Sequence, residues 1–187
     1  MSPDGLRGAE WIRAAYPFEL GGLPVAWQLS ARARTDAVMT EWTAYFTEGV
    51  PHEALTDLVV EFDARAEPGQ SIGEAERVLS ALSARGWPRD IDRPNGAATD
   101  PSFSTTFSLE TVPSLVHDAD PRDDLLGWQA WAEPVPGATY LWCASFSPST
   151  PPDLVAAFAS SLASSVPVRR RTLPEPAAGH LTVVRAI

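Results

Sequence analysis

The side chains of this chain able to do acid–base, nucleophilic or metal chemistry are few, and their spacing sorts them. His117, Asp118, Asp120, Asp123 and Asp124 crowd into LVHDADPRDD, the densest run of oxygen ligands in the sequence. Calcium or magnesium needs oxygens converging from such a loop, but the spacing and the glycine of an EF-hand are missing. The stretch therefore reads as a solvated acidic loop, and a divalent-metal enzyme built on it ranks last among the functional readings. Of the other two histidines, His52 and His180, the first falls in the opening turn of an expected helix and should lie at the surface. Cys143 is the single cysteine, which excludes an intramolecular disulfide and a cysteine-based metal site and fits a reducing compartment. A cysteine nucleophile needs a base beside it, and none is written near Cys143. No GxSxG, HExxH, Walker or GxGxxG pattern occurs, and the paired acids Glu74 and Glu76, or Asp90 and Asp92, show no sign of sharing a pocket. The expectation is a protein without catalytic residues, bound metal or cofactor, and with no small-molecule substrate evident.

Side chains suited to binding are better represented. The chain has no lysine, so its fourteen basic residues are all arginine, a pattern that reads as the coding bias of a GC-rich genome. Arg32 and Arg34 share strand parity with Gln28 and Ser30, which should place both on an outer sheet face, and Arg169, Arg170 and Arg171 form the densest basic cluster. Trp131 has the opposite parity to Trp128 and should point away from the core, as a stacking platform, a dimer contact or part of a second layer. These six residues are the candidate interaction surface. Against a nucleic-acid ligand stands the formal charge of −10, spread over both halves, which repels phosphate unless arginines converge locally.

The elements that must hold these residues are written twice. EWTAYFTEGVPHEALTDLVVEF at 41–62 and LWCASFSPSTPPDLVAAFASSL at 141–162 align Trp42 with Trp142, Ala44 with Ala144, Phe46 with Phe146 and Pro51 with Pro151. Upstream, Trp27-Gln28 meets Trp128-Gln129. Within each copy, residues 42, 44 and 46, or 142, 144 and 146, alternate with smaller or polar ones, the period of a strand with one buried face. Helices follow, with Leu55, Leu58, Val59 and Phe62, or Leu154, Val155, Phe158 and Leu162, on one side, and with Thr150 expected to cap the second. The segments 26–34 and 127–133 should pair with the terminal strands as hairpins, preceded by strands at 8–16 and 103–110. A further helix over 71–87, ended by Gly86, should link the copies and pack between them. HLTVVRAI at 180–187 alternates like a strand and is expected to extend the first copy or a neighbouring subunit.

SPDG at 2–5, the Trp-Gln strand, and the ending W-x-A-x-F followed by T-P-x-[DE]-L-V-x-A-F resemble the SPDY domain. RGW at 85–87 extends the match of the second copy, which has DPSF at 100–103 in place of the SPD motif. The resemblance implies an actinobacterial domain of unknown function in two tandem copies, and it assigns no activity to any residue.

The expected architecture is thus α+β: a tandem repeat of an antiparallel meander of three to four strands followed by a covering helix. The copies, 1–69 and 70–187, are expected to be related by a pseudo-twofold and to share one globular unit. In outline this is similar to the Whirly and PUR classes, whose sheets hold single-stranded nucleic acid. The content of 44% hydrophobic residues suffices for a core, while no run is apolar enough to span a membrane and no signal peptide is legible, so a cytoplasmic protein is expected. The function expected first is a non-catalytic interaction module that binds a protein partner or forms a homodimer through exposed sheet faces or edges. The alternative is single-stranded DNA or RNA binding on the open face.

Overall fold

The computed structural model describes residues 5–12, 19–65, 75–111 and 126–167. In chain order these form β1 (Arg7–Trp11), β2 (Glu19–Leu20), β3 (Leu23–Ala31), β4 (Trp42–Thr47), α1 (His52–Ala64), α2 (Glu76–Ser83), β5 (Ala97–Thr99), β6 (Thr105–Glu110), β7 (Gly127–Ala132), β8 (Trp142–Phe146) and α3 (Pro152–Leu162). The fold is α+β, with one antiparallel sheet of eight strands in the order β1-β3-β4-β8-β7-β6-β5, and β2 paired beside the start of β3.

The alternation read from the sequence fixes which face carries the core. Trp42, Ala44 and Phe46 of β4 and Trp142, Ala144 and Phe146 of β8 join Leu58, Phe62, Leu154 and Phe158 from the helices in one buried cluster. Phe158 stands at its middle, with its ring 5.6 Å from Phe46, 5.3 Å from Phe146 and 6.1 Å from Phe107. Such aromatic contacts add to the apolar area that each ring removes from water.

The strands keep one register on both sides of the sheet centre. Trp27 faces Phe46 and Leu29 faces Ala44; likewise Trp128 faces Phe146 and Ala130 faces Ala144. At the centre β4 and β8 pair through Ala44 with Phe146, Tyr45 with Ser145 and Phe46 with Ala144. Hydroxyls close this short ladder at each end. The Cys143 amide donates to Thr47 Oγ1 at 2.9 Å, and the Thr43 amide donates to Ser147 Oγ at 3.1 Å.

Several details differ from the sequence reading. The strand expected over 26–34 runs instead from Leu23 to Ala31, because the Glu41 amide closes onto the Ala31 carbonyl and Arg32 and Arg34 fall in the connection beyond it. A bulge between Val25 and Trp27 turns the start of β3. The β2–β3 hairpin, tight because Gly21 and Gly22 adopt φ of 56° and 76°, then lies against Tyr140 and Cys143 on the face away from the helices. Thr150 does not cap α3: Pro151 holds the N-cap position without a side-chain bond, and the Thr150 hydroxyl sits 3.1 Å from Ser147 Oγ instead. The linker helix does not lie between the copies, since α2 packs on α3 and β5 at the outer end of the sheet. Val78, Leu79 and Leu82 of α2 are fully buried, and Gly86, at φ 86°, ends the turn that follows it.

The helices α1 and α3 lie side by side and antiparallel. Arg65, just past α1, makes an ion pair with Asp153 in the first turn of α3. Arg7 of β1 joins this corner, donating to the carbonyls of Phe62 and Arg65 with its guanidinium 6.0 Å from the Phe62 ring centre.

Candidate functional site

The structure places the sequence-selected residues in different surroundings. Arg32 is half-buried just past β3, where its amide donates to the Leu6 carbonyl. Arg34 is exposed and pairs with Asp36 at 3.4 Å. Trp131 points to the face away from the helices, as its parity requires, but is half-buried there rather than open. It packs with Tyr140, at 6.4 Å between ring centres, against the small cluster of Leu20, Val25 and Cys143 under the β2–β3 hairpin. From the Gln28–Tyr45–Ser145–Gln129 row, Arg32 lies four residues toward one edge of the strands and Trp131 two toward the other. That puts them roughly 20 Å apart along the strand direction, so they do not share one surface. Arg169, Arg170, Arg171, His180, the 180–187 segment and the loop from His117 to Asp124 lie outside the described residues.

The reactive groups that are described sit in settled surroundings. Cys143 is buried, and loss of water pushes its thiol up to about 12, away from the thiolate a nucleophile needs. His52 is exposed with Nδ1 3.0 Å from the Thr56 hydroxyl. Glu76 is held down at about 2 by hydrogen bonds from Arg89 and Ser80. An open hollow of about 430 Å³ beside β6 contains Arg93. This guanidinium is already engaged by Ser108 Oγ at 2.7 Å, the Leu109 carbonyl at 2.9 Å and Glu110 Oε1 at 3.0 Å, so it braces the edge of the sheet. Among the described residues no three His, Cys, Asp or Glu side chains gather as a metal site would need, and no helix is long and apolar enough to cross a membrane.

The feature that stands out was not singled out from the sequence. Trp11 and Trp27 stack across β1 and β3, with centroids 6.1 Å apart and planes 19° from parallel, and remain 52% and 39% exposed. Both have the parity of the helix-bearing face, where Trp27 faces Phe46. Trp128 holds the corresponding register position on the other side of the sheet, facing Phe146, and is only 6% exposed. Ala9 is exposed as well, while Phe107, opposite Ala130 as Ala9 is opposite Leu29, is fully buried. The helices are distributed unevenly: α3 packs on both α1 and α2, α2 also packs on β5 at the outer end of the sheet, and among the described helices none packs on β1 in the same way. An aromatic platform of this kind can bury against an apolar partner surface or stack on planar groups.

The SPDY family model, a domain of unknown function (DUF317), matches residues 1–68 and 114–168. The first segment spans β1 to α1 and the second takes in β7, β8 and α3, with α2, β5 and β6 between them. No curated protein and no solved structure matches the chain.

Proposed function

The chain belongs to the SPDY family, and from that premise we propose that it is a non-catalytic interaction module built by tandem duplication. A pseudo-twofold axis between Tyr45 and Ser145 would relate its halves. Supporting the duplication, the β4–β8 pairing is reciprocal under an offset of one hundred residues: Ala44 pairs with Phe146 and Phe46 with Ala144, while Tyr45 pairs with its own counterpart Ser145. The reciprocal bonds of Thr47 to residue 143 and of Ser147 to residue 43 obey the same relation.

The observation that carries the functional reading is the exposed Trp11–Trp27 stack on an acidic chain. Large aromatics with a polar edge dominate protein–protein contacts once buried. The module would engage a protein partner, or a second copy of itself, through this platform. Single-stranded nucleic acid is the second ligand class, since bases also stack on exposed indoles, but the charge of −10 opposes it.

A paired measurement tests the reading. Sedimentation equilibrium and quantified affinity capture from cell extract, each with wild type and with Trp11→Ser/Trp27→Ser, should show association that the double substitution removes. Anisotropy of a labelled mixed-sequence single strand, at low and physiological salt, should stay flat. Salt-sensitive strand binding would replace the protein-partner reading with the nucleic-acid one, and association indifferent to both tryptophans would discard this surface.

A further inference from the structure

We propose that Phe103, at the tip of the β5–β6 turn, is an anchor that inserts into an apolar pocket of a protein partner. This contact is separate from the Trp11–Trp27 platform and stands or falls independently of it.

Strand register identifies the position that Phe103 occupies. Arg7 of β1 pairs with Ala31, which pairs with Trp42; Thr105 of β6 pairs with Ala132, which pairs with Trp142. Arg7 and Thr105 therefore hold matching places. One residue earlier, the Leu6 and Ser104 carbonyls accept the Arg32 and Glu133 amides in the same way. One residue earlier again stand Gly5, at φ 70°, and Phe103, at φ 59°. Both halves use left-handed backbone at this point, and the first half meets it with the residue that has no Cβ to obstruct it. Phe103 is the single non-glycine residue at positive φ among the described residues, and a bulky side chain is strained there.

The ring does nothing for the fold in return. It is 63% exposed and belongs to neither buried cluster. The turn is held without it: Asp100 accepts the amides of Ser102, Ser104 and Thr105 at 3.1, 2.6 and 2.7 Å, and the Phe103 amide donates to the Asp100 carbonyl at 2.9 Å. A residue that strains the backbone and leaves an apolar ring in water costs stability on both counts, and a contact outside the chain would offset both.

Shape and charge select the occupant. Pro101 and Ser102 beside Phe103, and Val135 and Pro136 in the neighbouring β7–β8 turn, are exposed and uncharged. The carboxylates of Asp100 and Glu133 are taken up by amides of their own turns. Two such convex tips meeting each other would bury far less than the roughly 800 Å² per partner of a stable interface, so a second copy is a poor fit. A concave apolar pocket suits the tip, as it suits the buried aromatic anchors of other interfaces. An anionic lipid surface is disfavoured, because neither turn carries an arginine and the chain is at −10.

The test uses the full chain. Phe103→Gly should raise the melting temperature by about 2–4 °C, because it relieves the backbone strain. With p-benzoylphenylalanine in place of Phe103, irradiation of cells should give an adduct with one discrete protein. The same probe in place of Ile91, which is 95% exposed, should not give that adduct. The adduct protein, once purified, should bind wild type and lose at least tenfold in affinity for Phe103→Gly. A lower melting temperature for Phe103→Gly would give the ring a role in the fold and overturn the proposal. So would equal labelling from positions 103 and 91, or unchanged affinity. An adduct between two copies of this chain would assign the anchor to self-association instead. Binding to vesicles of phosphatidylcholine and phosphatidylserine that Phe103→Gly abolishes would assign it to a membrane.

Discussion

Thr47 and Cys143 are joined twice across the centre of the sheet: the Cys143 amide donates to Thr47 Oγ1 at 2.9 Å, and the same hydroxyl lies 3.3 Å from the Cys143 carbonyl as donor. Thr47 is 2% exposed, so neither backbone group has water as a substitute. Thr47→Val keeps the shape and removes both bonds, leaving a buried amide unsatisfied. The expected cost is about 1–3 kcal/mol, read from the denaturant midpoint at unchanged slope. Ser147→Ala breaks the corresponding bond to Thr43 in a partly buried setting and should cost about 1 kcal/mol, the lower end of that range.

Cys143 makes a pH prediction whose sign is fixed by burial. Its thiol is pushed from 9.0 up to about 12 because the folded protein disfavours the thiolate. Below pH 9 both folded and unfolded chains carry the proton, and the stabilisation is complete. As pH rises from about 9 toward 12 the unfolded chain ionises first, so stability falls by up to about 1.4 kcal/mol per pH unit from this group. Cys143→Ala should flatten that slope between pH 9 and 10.5 in urea melts. In native protein at pH 8 an aromatic disulfide reagent should label Cys143 only at the rate of unfolding.

The corner where α1 ends and α3 begins gives a third prediction. Arg65 and Asp153 are ion-paired with side chains 18% and 34% exposed, and Asp153 also faces the positive end of the α3 dipole. A double-mutant cycle with Arg65→Met and Asp153→Asn should return a coupling of about 0.5–1 kcal/mol, reduced in 1 M salt. A coupling of zero would assign the corner to packing alone.

What could be read in advance was whatever depends on local period. The β4 and β8 alternation, the apolar sides of α1 and α3, and the pairing of Trp27 and Trp128 with their terminal strands follow from residue spacing, and all are found. Parity placed Trp131 on the correct face but could not show that a hairpin, turned by a bulge at Val25, would cover it. β2 and β5, of two and three residues, are too short for a period to declare them. The exposure of Trp27 could not be read in advance: Trp27 and Trp128 hold matching register positions beside Phe46 and Phe146, and spacing alone does not say which of them the packing hides.

Gly127 and Gly137 allow backbone strain and steric exclusion to be separated. Both sit in the left-handed region, at φ 99° and 82°, so an alanine at either position pays for an unfavourable backbone. A Cβ on Gly137 would meet nothing within 4 Å, whereas one on Gly127 would lie 2.2 Å from the Phe146 carbonyl oxygen and 2.8 Å from the Pro148 nitrogen. Those atoms are backbone at the end of β8, next to the turn into α3, and cannot rotate away as a side chain can. Gly137→Ala should therefore cost about 1 kcal/mol, the strain alone. Gly127→Ala must also push β7 off β8 and should cost about 3 kcal/mol or more, lowering the melting temperature severely or preventing accumulation of folded protein. Equal losses for the two variants would mean that β7 and β8 separate more readily at this end than the close approach of Gly127 implies.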